Sequence, residues 1–419
     1  MTTTGQPSRL FALFYVLAMF GAFIAFVPLG ALILPQKIAN IAGVANLGGP
    51  VPALSWLLVA GGVMAGVGNL AAGHLSDSLF RRWGSRRQMV AIGLAATVVA
   101  LAMVGAAESF IDLLLAMLAF QLALNFLLSP LVALTADYVP DRQKGAMAGW
   151  LGLALPAGSL SVSILVATGP IGPFAQTLLA GFMVILLVAP LAGIWPVPAP
   201  VSASIARTHD RHGASRAPGL ARNFTLAWLA RLLVQFAAAA ILPYLYFYVA
   251  DIALAGANLV EVAQGVGTLA FAFAVASIAG ALGAGWLSDR FARRQPVLVT
   301  TACGVAVAML LLATSTNWTL IIIAYALFAA ALGGFLAVDS ALVAQLVSHS
   351  GRRATLLGVM NLTNTLPGIM APAATLFVIG DSVGATGMLI VLKISAGGAL
   401  IAAYCASRIA TPPPAISLG

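Results

Sequence analysis

"GHLSDSLFRRWGSRRQ", residues 73–88, lies between two long apolar stretches and holds four arginines within residues 81–87. "GWLSDRFARRQP", residues 285–296, opens on the same Gly-x-Leu-Ser-Asp, 212 residues further along. Gly73, Leu75, Ser76 and Asp77 map onto Gly285, Leu287, Ser288 and Asp289. In a chain of 419 residues with only 7% charged side chains, these two loops concentrate much of the charge. Their recurrence points to a duplicated unit, and what flanks them decides the class.

The flanks are apolar. Hydrophobic residues make up 61% of the chain and mean hydropathy is +1.04. A soluble protein of this length needs far more polar surface. Runs of about 20 apolar residues recur along almost the whole chain, each long enough to cross the hydrocarbon core as a helix. Twelve spans are predicted, at 10–34, 53–73, 88–106, 110–136, 146–168, 174–195, 222–250, 262–286, 297–314, 318–346, 354–380 and 384–407. The expected fold class is all-α and polytopic, with no soluble domain between spans. The first run is too long for a signal-peptide core and is read as retained. Cys303 and Cys405 fall in apolar runs and read as packing residues.

The net charge of +9 is a topology signal rather than a nucleic-acid footprint. Twelve spans put both termini on one side, and that side collects 17 of the 20 basic residues, from Arg9 through the two arginine loops to Arg408. The opposite loops hold Lys37, with Glu108, Asp112, Asp251, Glu261 and Asp381 at or near them. Lysine and arginine mark the cytoplasmic side, so both termini are expected inside, in a bacterial inner membrane.

A weaker echo supports the duplication. "ALTADYVP" from 133 and "ALVAQLVS" from 341 both close a fourth span, and each leads into a fifth carrying Leu-Pro, at 155–156 and 366–367. The chain reads as a six-helix half at 1–196, a polar Pro/Ala/Ser-rich cytoplasmic linker at 197–221, and a second six-helix half at 222–419. Tandem halves of this kind suggest a transporter with its site at their interface.

Nearly the whole chain resembles the major facilitator superfamily. That family carries Gly-x-Leu-Ser/Ala-Asp-Arg and then Gly-Arg-Arg/Lys after its second helix. The corresponding residues are Gly73, Leu75, Ser76, Asp77 and, after a longer spacer, Gly84, Arg86 and Arg87. The spaced form, with "ADYVPDRQKGAMAG" from 136, resembles the branch of glycoside and sucrose-type cation symporters. Two features depart from it. Ser78 replaces the usual arginine, and the second span has no carboxylate before Asp77, so the branch's sodium site has no counterpart.

Read physically, the two loops form a cytoplasmic latch made of Gly73, Asp77, Arg86, Arg87, Gly285, Asp289 and Arg290. Glycine permits close helix approach. Asp77 can accept hydrogen bonds from a helix N-terminus of the other half, and arginines can pair with carboxylates or helix C-terminal carbonyls. The plainer reading, topology alone, is preferred for Arg81 and Arg82.

Charges within spans are few. Arg231 lies about nine residues into the seventh span, about 13 Å by helical rise. Gln235 follows four residues later. Lys393 lies in the twelfth span and Asp339 in the inner part of the tenth. Such charges must face water or a partner, which makes them functional candidates. Asp339 and Lys393 are read as coupling candidates and Arg231 as a substrate or coupling group. Structural alternatives stand beside these: an Arg231–Asp339 pair, or a snorkelling Lys393. Gln121 and Asn125, four apart, and Asn361 and Asn364, three apart, present amides that suit a neutral polar solute or serve as interhelical glue. Tyr244, Tyr246 and Tyr248 read equally as an interfacial cluster or a stacking platform. Gly61, Gly62, Gly66 and Gly68 suit slidable packing, and Pro156 and Pro367 suit matching bends.

No Ser/His/Asp, CxxC, Walker or zinc spacing is present, so no enzyme chemistry and no cofactor are expected. The expected function is secondary active transport of a small organic solute, with sugars among the candidates, by alternating access, with proton coupling, as a monomer in the lipid bilayer. The other functions compatible with the sequence are export of amphipathic compounds and a non-transporting, transporter-like receptor.

Overall fold

Helices satisfy their own backbone in hydrocarbon, and every regular element among the described residues is helical. The computed structural model describes residues 9–195, 220–291, 293–347, 353–379 and 385–410. The linker read at 197–221 falls almost wholly outside them, as do Arg207, Arg211, Arg216 and Asp381. The chain divides into two units, residues 1–209 and 210–419.

In the first unit, α1 (Arg9–Pro28) runs through a π-helical turn, Leu29–Ile33, into α2 (Leu34–Asn40). Pro35 has no N–H to continue an α-helical ladder, and the wider turn before it accommodates the loss. The span is therefore longer than the 10–34 read from hydropathy. Helix α3 (Pro50–Trp83) stops at Gly84, which is left-handed at φ 65° and donates its N–H to the Phe80 carbonyl. Gly73–Asp77, Arg81 and Arg82, read as a loop after a span ending at 73, are therefore the last turns of a helix, and Gly285–Asp289 are likewise helical in the second unit. Helix α4 (Arg87–Ala106) follows, then α5 (Phe110–Tyr138), opened by a reciprocal Ser109–Asp112 capping box. Helices α6 (Asp141–Leu151) and α7 (Ala154–Ala167) are separated at Gly152–Leu153, since Pro156 cannot donate to the Gly152 carbonyl. Helix α8 (Pro173–Ile194) ends the unit's described residues but one. Helix α5 packs on α3 and α4, and α1 packs on α7 and α8.

In the second unit, α9 (Leu220–Ile241), a 3-10 turn at Leu242–Tyr244, the short α10 (Leu245–Tyr248) and a π turn at Val249–Ala253 make one long span. Asn258 caps α11 (Leu259–Phe291), accepting from the N–H groups of Val260 and Glu261 while Glu261 accepts from its own. Then come α12 (Arg294–Thr314) and α13 (Trp318–Val347). Helices α11 and α13 meet backbone to backbone. A Cβ on Gly280 would run into the Ala330 peptide, and one on Gly333 into that of Ser277. Only glycine allows that approach.

The stretch read as one span at 354–380 is two helices of 13 residues each, α14 (Arg353–Thr365) and α15 (Pro367–Ile379), broken at Leu366. Proline disfavours helical geometry in the residue before it and removes a ladder bond. Helix α16 (Ala385–Ser407) packs on α9 and α12. Eleven helical stretches among the described residues, α6 and α7 together making one of them, are long and apolar enough to cross a membrane. Their outward faces carry large bare apolar side chains, Leu70 of α3 being 78% exposed, which suits hydrocarbon and not water.

Candidate functional site

The first unit builds its polar centre on Arg86, at the start of α4, which is 5% exposed. Its Nε donates to Asp137 Oδ2 at 2.6 Å, Nη1 to Ser76 Oγ at 2.6 Å and Nη2 to Asp77 Oδ1 at 3.1 Å. The guanidinium also lies over the Phe80 ring, 4.8 Å from its centroid. Arg87 turns the other way, its Nε donating to the Ala192 carbonyl at 2.7 Å and its Nη2 to that of Gly193 at 2.6 Å, where α8 ends. A cation there complements the negative end of the helix dipole. One arginine joins α3, α4 and α5; its neighbour joins α4 to α8.

This bears on the latch residues individually. Asp77 takes its hydrogen bond from Arg86 of its own unit and is otherwise open, 63% exposed. Asp137, only 20% exposed, holds the shorter contact and was not singled out from sequence. The signal lay in "ALTADYVP", which carries a carboxylate at the same end of a span as Asp77. Gly73 is not needed for close approach in its own unit, since an added Cβ would meet only Ser129 Oγ, at 4.0 Å. The same holds at Gly285, where an added Cβ meets nothing within 4 Å among the described residues of that unit. Asp289 and Arg290 are exposed.

Gln121 and Asn125 do share one face of α5, and both are buried against α3. Gly61 lies beside the Gln121 side chain and Gly68 beside that of Asn125. Asn125 Nδ2 donates to the Gln121 carbonyl at 2.8 Å, inside its own helix. In this arrangement the two amides fill the α3–α5 seam. A second polar contact escaped the sequence reading altogether. Buried Tyr15 shares a hydrogen bond of 2.7 Å with Thr135, tying α1 to α5.

The second unit gathers five of the candidate residues into one chain of contacts. Arg231 Nη1 donates to Asp339 Oδ2 at 2.9 Å, with the arginine side chain 14% exposed and the carboxylate 1%. Arg231 Nη2 donates to Asn364 Oδ1 at 3.1 Å, and Gln235 Nε2 donates to the same oxygen at 3.1 Å. Asn364 Nδ2 then donates to Asn361 Oδ1 at 2.9 Å. Arg231 Nε is buried without a hydrogen-bond partner. The chain begins at a buried carboxylate on α13, crosses α9 and emerges at two exposed amides on α14. Trp228, one turn before Arg231, donates from Nε1 to the Val359 carbonyl at 2.9 Å and fixes α9 against α14.

Lys393 stands apart, exposed on α16 and in no ion pair among the described residues. The pair that forms is Arg231–Asp339, the alternative weighed for those two side chains. The three tyrosines are buried. Tyr248 donates its hydroxyl to the Leu312 carbonyl at 2.8 Å, so it braces α10 on α12 and offers no open ring face.

The sequence profile described as Major Facilitator Superfamily matches residues 10–264 and 227–418. Among solved structures the chain is similar to a bacterial homologue of the human lysosomal transporter Spinster in an inward-facing, unoccupied conformation. The TM-score is 0.62 at 16% identity, covering 96% of each chain. The occupied, inward-facing form of a bacterial Spinster homologue gives 0.61 at 15%, covering 96% of this chain and 97% of that one. No curated protein matches.

Proposed function

The chain belongs to the major facilitator superfamily, and on that footing we propose that it is a proton-coupled secondary transporter of a small polar organic solute. It is a multi-pass membrane protein that works by alternating access. The reading places twelve crossings in two halves of six, with α14 and α15 together making the eleventh. Residues 197–221 link the halves, and both termini lie on the cytoplasmic side of an inner membrane.

The observation carrying the proposal is the Arg231–Asp339 pair and the amides attached to it. A buried ion pair costs about as much in desolvation as it returns, so stability is a weak reason for having one. It is a good device for coupling. A proton arriving on Asp339 removes the charge that holds Arg231, and the guanidinium is then free to shift. That shift is felt at Asn364, whose carbonyl Arg231 and Gln235 share, and so at Asn361. Solute hydroxyls or amides meeting Gln235, Asn361 and Asn364 would in turn favour one position of Arg231. Gln121 and Asn125 serve as substrate contacts in this scheme only if α3 moves off them. Lys393, exposed on α16 and away from that pair, stands as a separate coupling candidate. The Asp77–Arg86–Asp137 cluster, with Arg87, holds the first-unit loop closed, and Gly285, Asp289 and Arg290 mark its repeat.

The test is uptake into proteoliposomes of a panel of labelled hexoses, disaccharides and amphipathic drugs under an imposed pH gradient. The unmodified chain should accumulate one class, and Asp339→Asn should lose accumulation while keeping downhill exchange. Concentrative uptake by Asp339→Asn would remove this carboxylate from the coupling step. Outward pumping of the drugs would make the protein an exporter. Binding without flux would make it a receptor.

A further inference from the structure

The repeated motif at the end of α11 is built like that at the end of α3, with one anion missing. In the first unit Arg86 has Ser76, Asp77 and Asp137 as acceptors. The second unit keeps a buried Ser288 and the carboxylate of Asp289, which acts on Arg294 electrostatically. Where the repeat would place the counterpart of Asp137 stands Gln345, which carries no charge. Arg294 is left with Nη1 buried and without a hydrogen-bond partner. A donor in that position is costly to leave unmade. Arg290 and Arg293 beside it are exposed, and no ion pair is formed by any of the three among the described residues.

Arg293, the residue before Arg294, lines a cavity of about 280 Å³ together with Leu287, Phe291, Pro296, Val297 and Thr300. Its walls are apolar except for Arg293 and Thr300, and it sits where α11 gives way to α12, at the end of two membrane helices. Gln295 Nε2 donates to the Ser407 carbonyl and brings the end of α16, with Arg408, to the same end of the unit. The larger apolar groove of the first unit, between α4 and α8, differs in kind. No charged residue lines it, and the nearby Arg87 is already bound to helix carbonyls.

We propose that the α11–α12 cavity is a binding site for an anionic phospholipid. An acyl chain lies against Leu287, Phe291, Pro296 and Val297. The headgroup phosphate meets Arg293 and Arg294, supplying from the bilayer the negative charge that Asp137 supplies in the first unit. A zwitterionic lipid fits the groove equally well but brings its own cation to a site that already holds several. The preference therefore rests on charge, at about fivefold in affinity for each arginine near the headgroup. The site needs neither a solute nor a coupling ion, so it stands or falls apart from the transport reading.

The full chain is purified in detergent and titrated with phosphatidylglycerol or phosphatidylcholine of identical acyl chains, with bound lipid counted by native mass spectrometry. The tightest phosphatidylglycerol site should exceed phosphatidylcholine by about tenfold or more, and Arg293→Gln/Arg294→Gln should bring the ratio to within about twofold. Arg81→Gln/Arg82→Gln, in the last turn of α3, should leave it unchanged. Equal affinity for the two lipids in the unmodified chain overturns the proposal. So does a preference that survives Arg293→Gln/Arg294→Gln or vanishes equally in the first-unit control. If the double variant does not purify as a folded monodisperse protein, Arg293→Gln alone carries the comparison, since that side chain lines the cavity. Position is checked by Phe291→Trp with the seven native tryptophans replaced by phenylalanine. Brominated phosphatidylglycerol should quench it at lower mole fraction than brominated phosphatidylcholine, and equal quenching places the lipid elsewhere.

Discussion

Replacing Arg231 by leucine leaves Asp339 in a pocket where it is 1% exposed and its counter-charge, 2.9 Å away, is gone. Breaking a buried pair from one side costs about 3–5 kcal/mol, because an uncompensated charge remains. Asp339→Leu is the gentler change. Arg231 is 14% exposed, and its long stem can carry the guanidinium outward past Asn364. About 1–3 kcal/mol is expected for that variant, the cost of a polar group left without its partner. With both replaced no charge remains to strand, and the double variant should lie within about 1 kcal/mol of the parent, or above it. At about 2–4 °C per kcal/mol for a unit of this size, Arg231→Leu should melt roughly 6–20 °C below the parent and the double variant within a few degrees of it. Fluorescence-detected size-exclusion after heating gives the apparent midpoints in one detergent. Additive losses in the double variant would refute the reasoning, since independent sites add and coupled ones do not. The double variant should also fail to accumulate solute, separating coupling from stability.

At the first-unit cluster, Asp137→Asn should cost about 2 kcal/mol and Asp77→Asn less than about 1 kcal/mol, because Asp137 is 20% exposed and Asp77 63%; equal melting losses would refute this ranking. Gly280→Ala, which drives a methyl into the Ala330 peptide, should cost at least about 1–3 kcal/mol, whereas Gly285→Ala should leave the melting point within about 1 °C of the parent's. For topology, a cysteine at Thr316 should react with impermeant maleimide on intact cells and one at Ser78 only after lysis, in a background lacking Cys303 and Cys405; the reverse would overturn the charge-based orientation.

Hydropathy made most spans legible because a crossing needs about 20 apolar residues, a scale that averages out local detail. The same averaging joined 354–380 into one span, and the bend read at Pro367 appears as a full break at Leu366, because one proline divides an apolar run without making it less apolar. Motif repetition disclosed the two loops but not their partners. Arg86 finds Asp137, 51 residues away, because α3, α4 and α5 converge there. That convergence depends on contacts such as Gly61 on Gln121 and Gly68 on Asn125, which are visible only once the helices are placed. The same contacts turn Gln121 and Asn125 from amides at large into seam residues. The second-unit site was more legible. Arg231, Gln235, Asp339, Asn361 and Asn364 stood out because polar groups in spans are expensive, although nothing in their spacing joined them into one chain.

The glycine seam between α11 and α13 has a mechanical meaning. Where two helices touch backbone to backbone there are no side-chain rotamers between them to absorb a displacement, so the pair behaves as a stiff beam. Gly333 lies six residues before Asp339 and Gly280 nine before Asp289, about 9 Å and 13 Å along their axes. A torque delivered at the Arg231–Asp339 pair would thus be carried with little loss to the Gly-x-Leu-Ser-Asp motif in the last turns of the neighbouring helix α11. The compliance of the unit then resides in the interrupted helix at Leu366, on whose first half Asn361 and Asn364 ride.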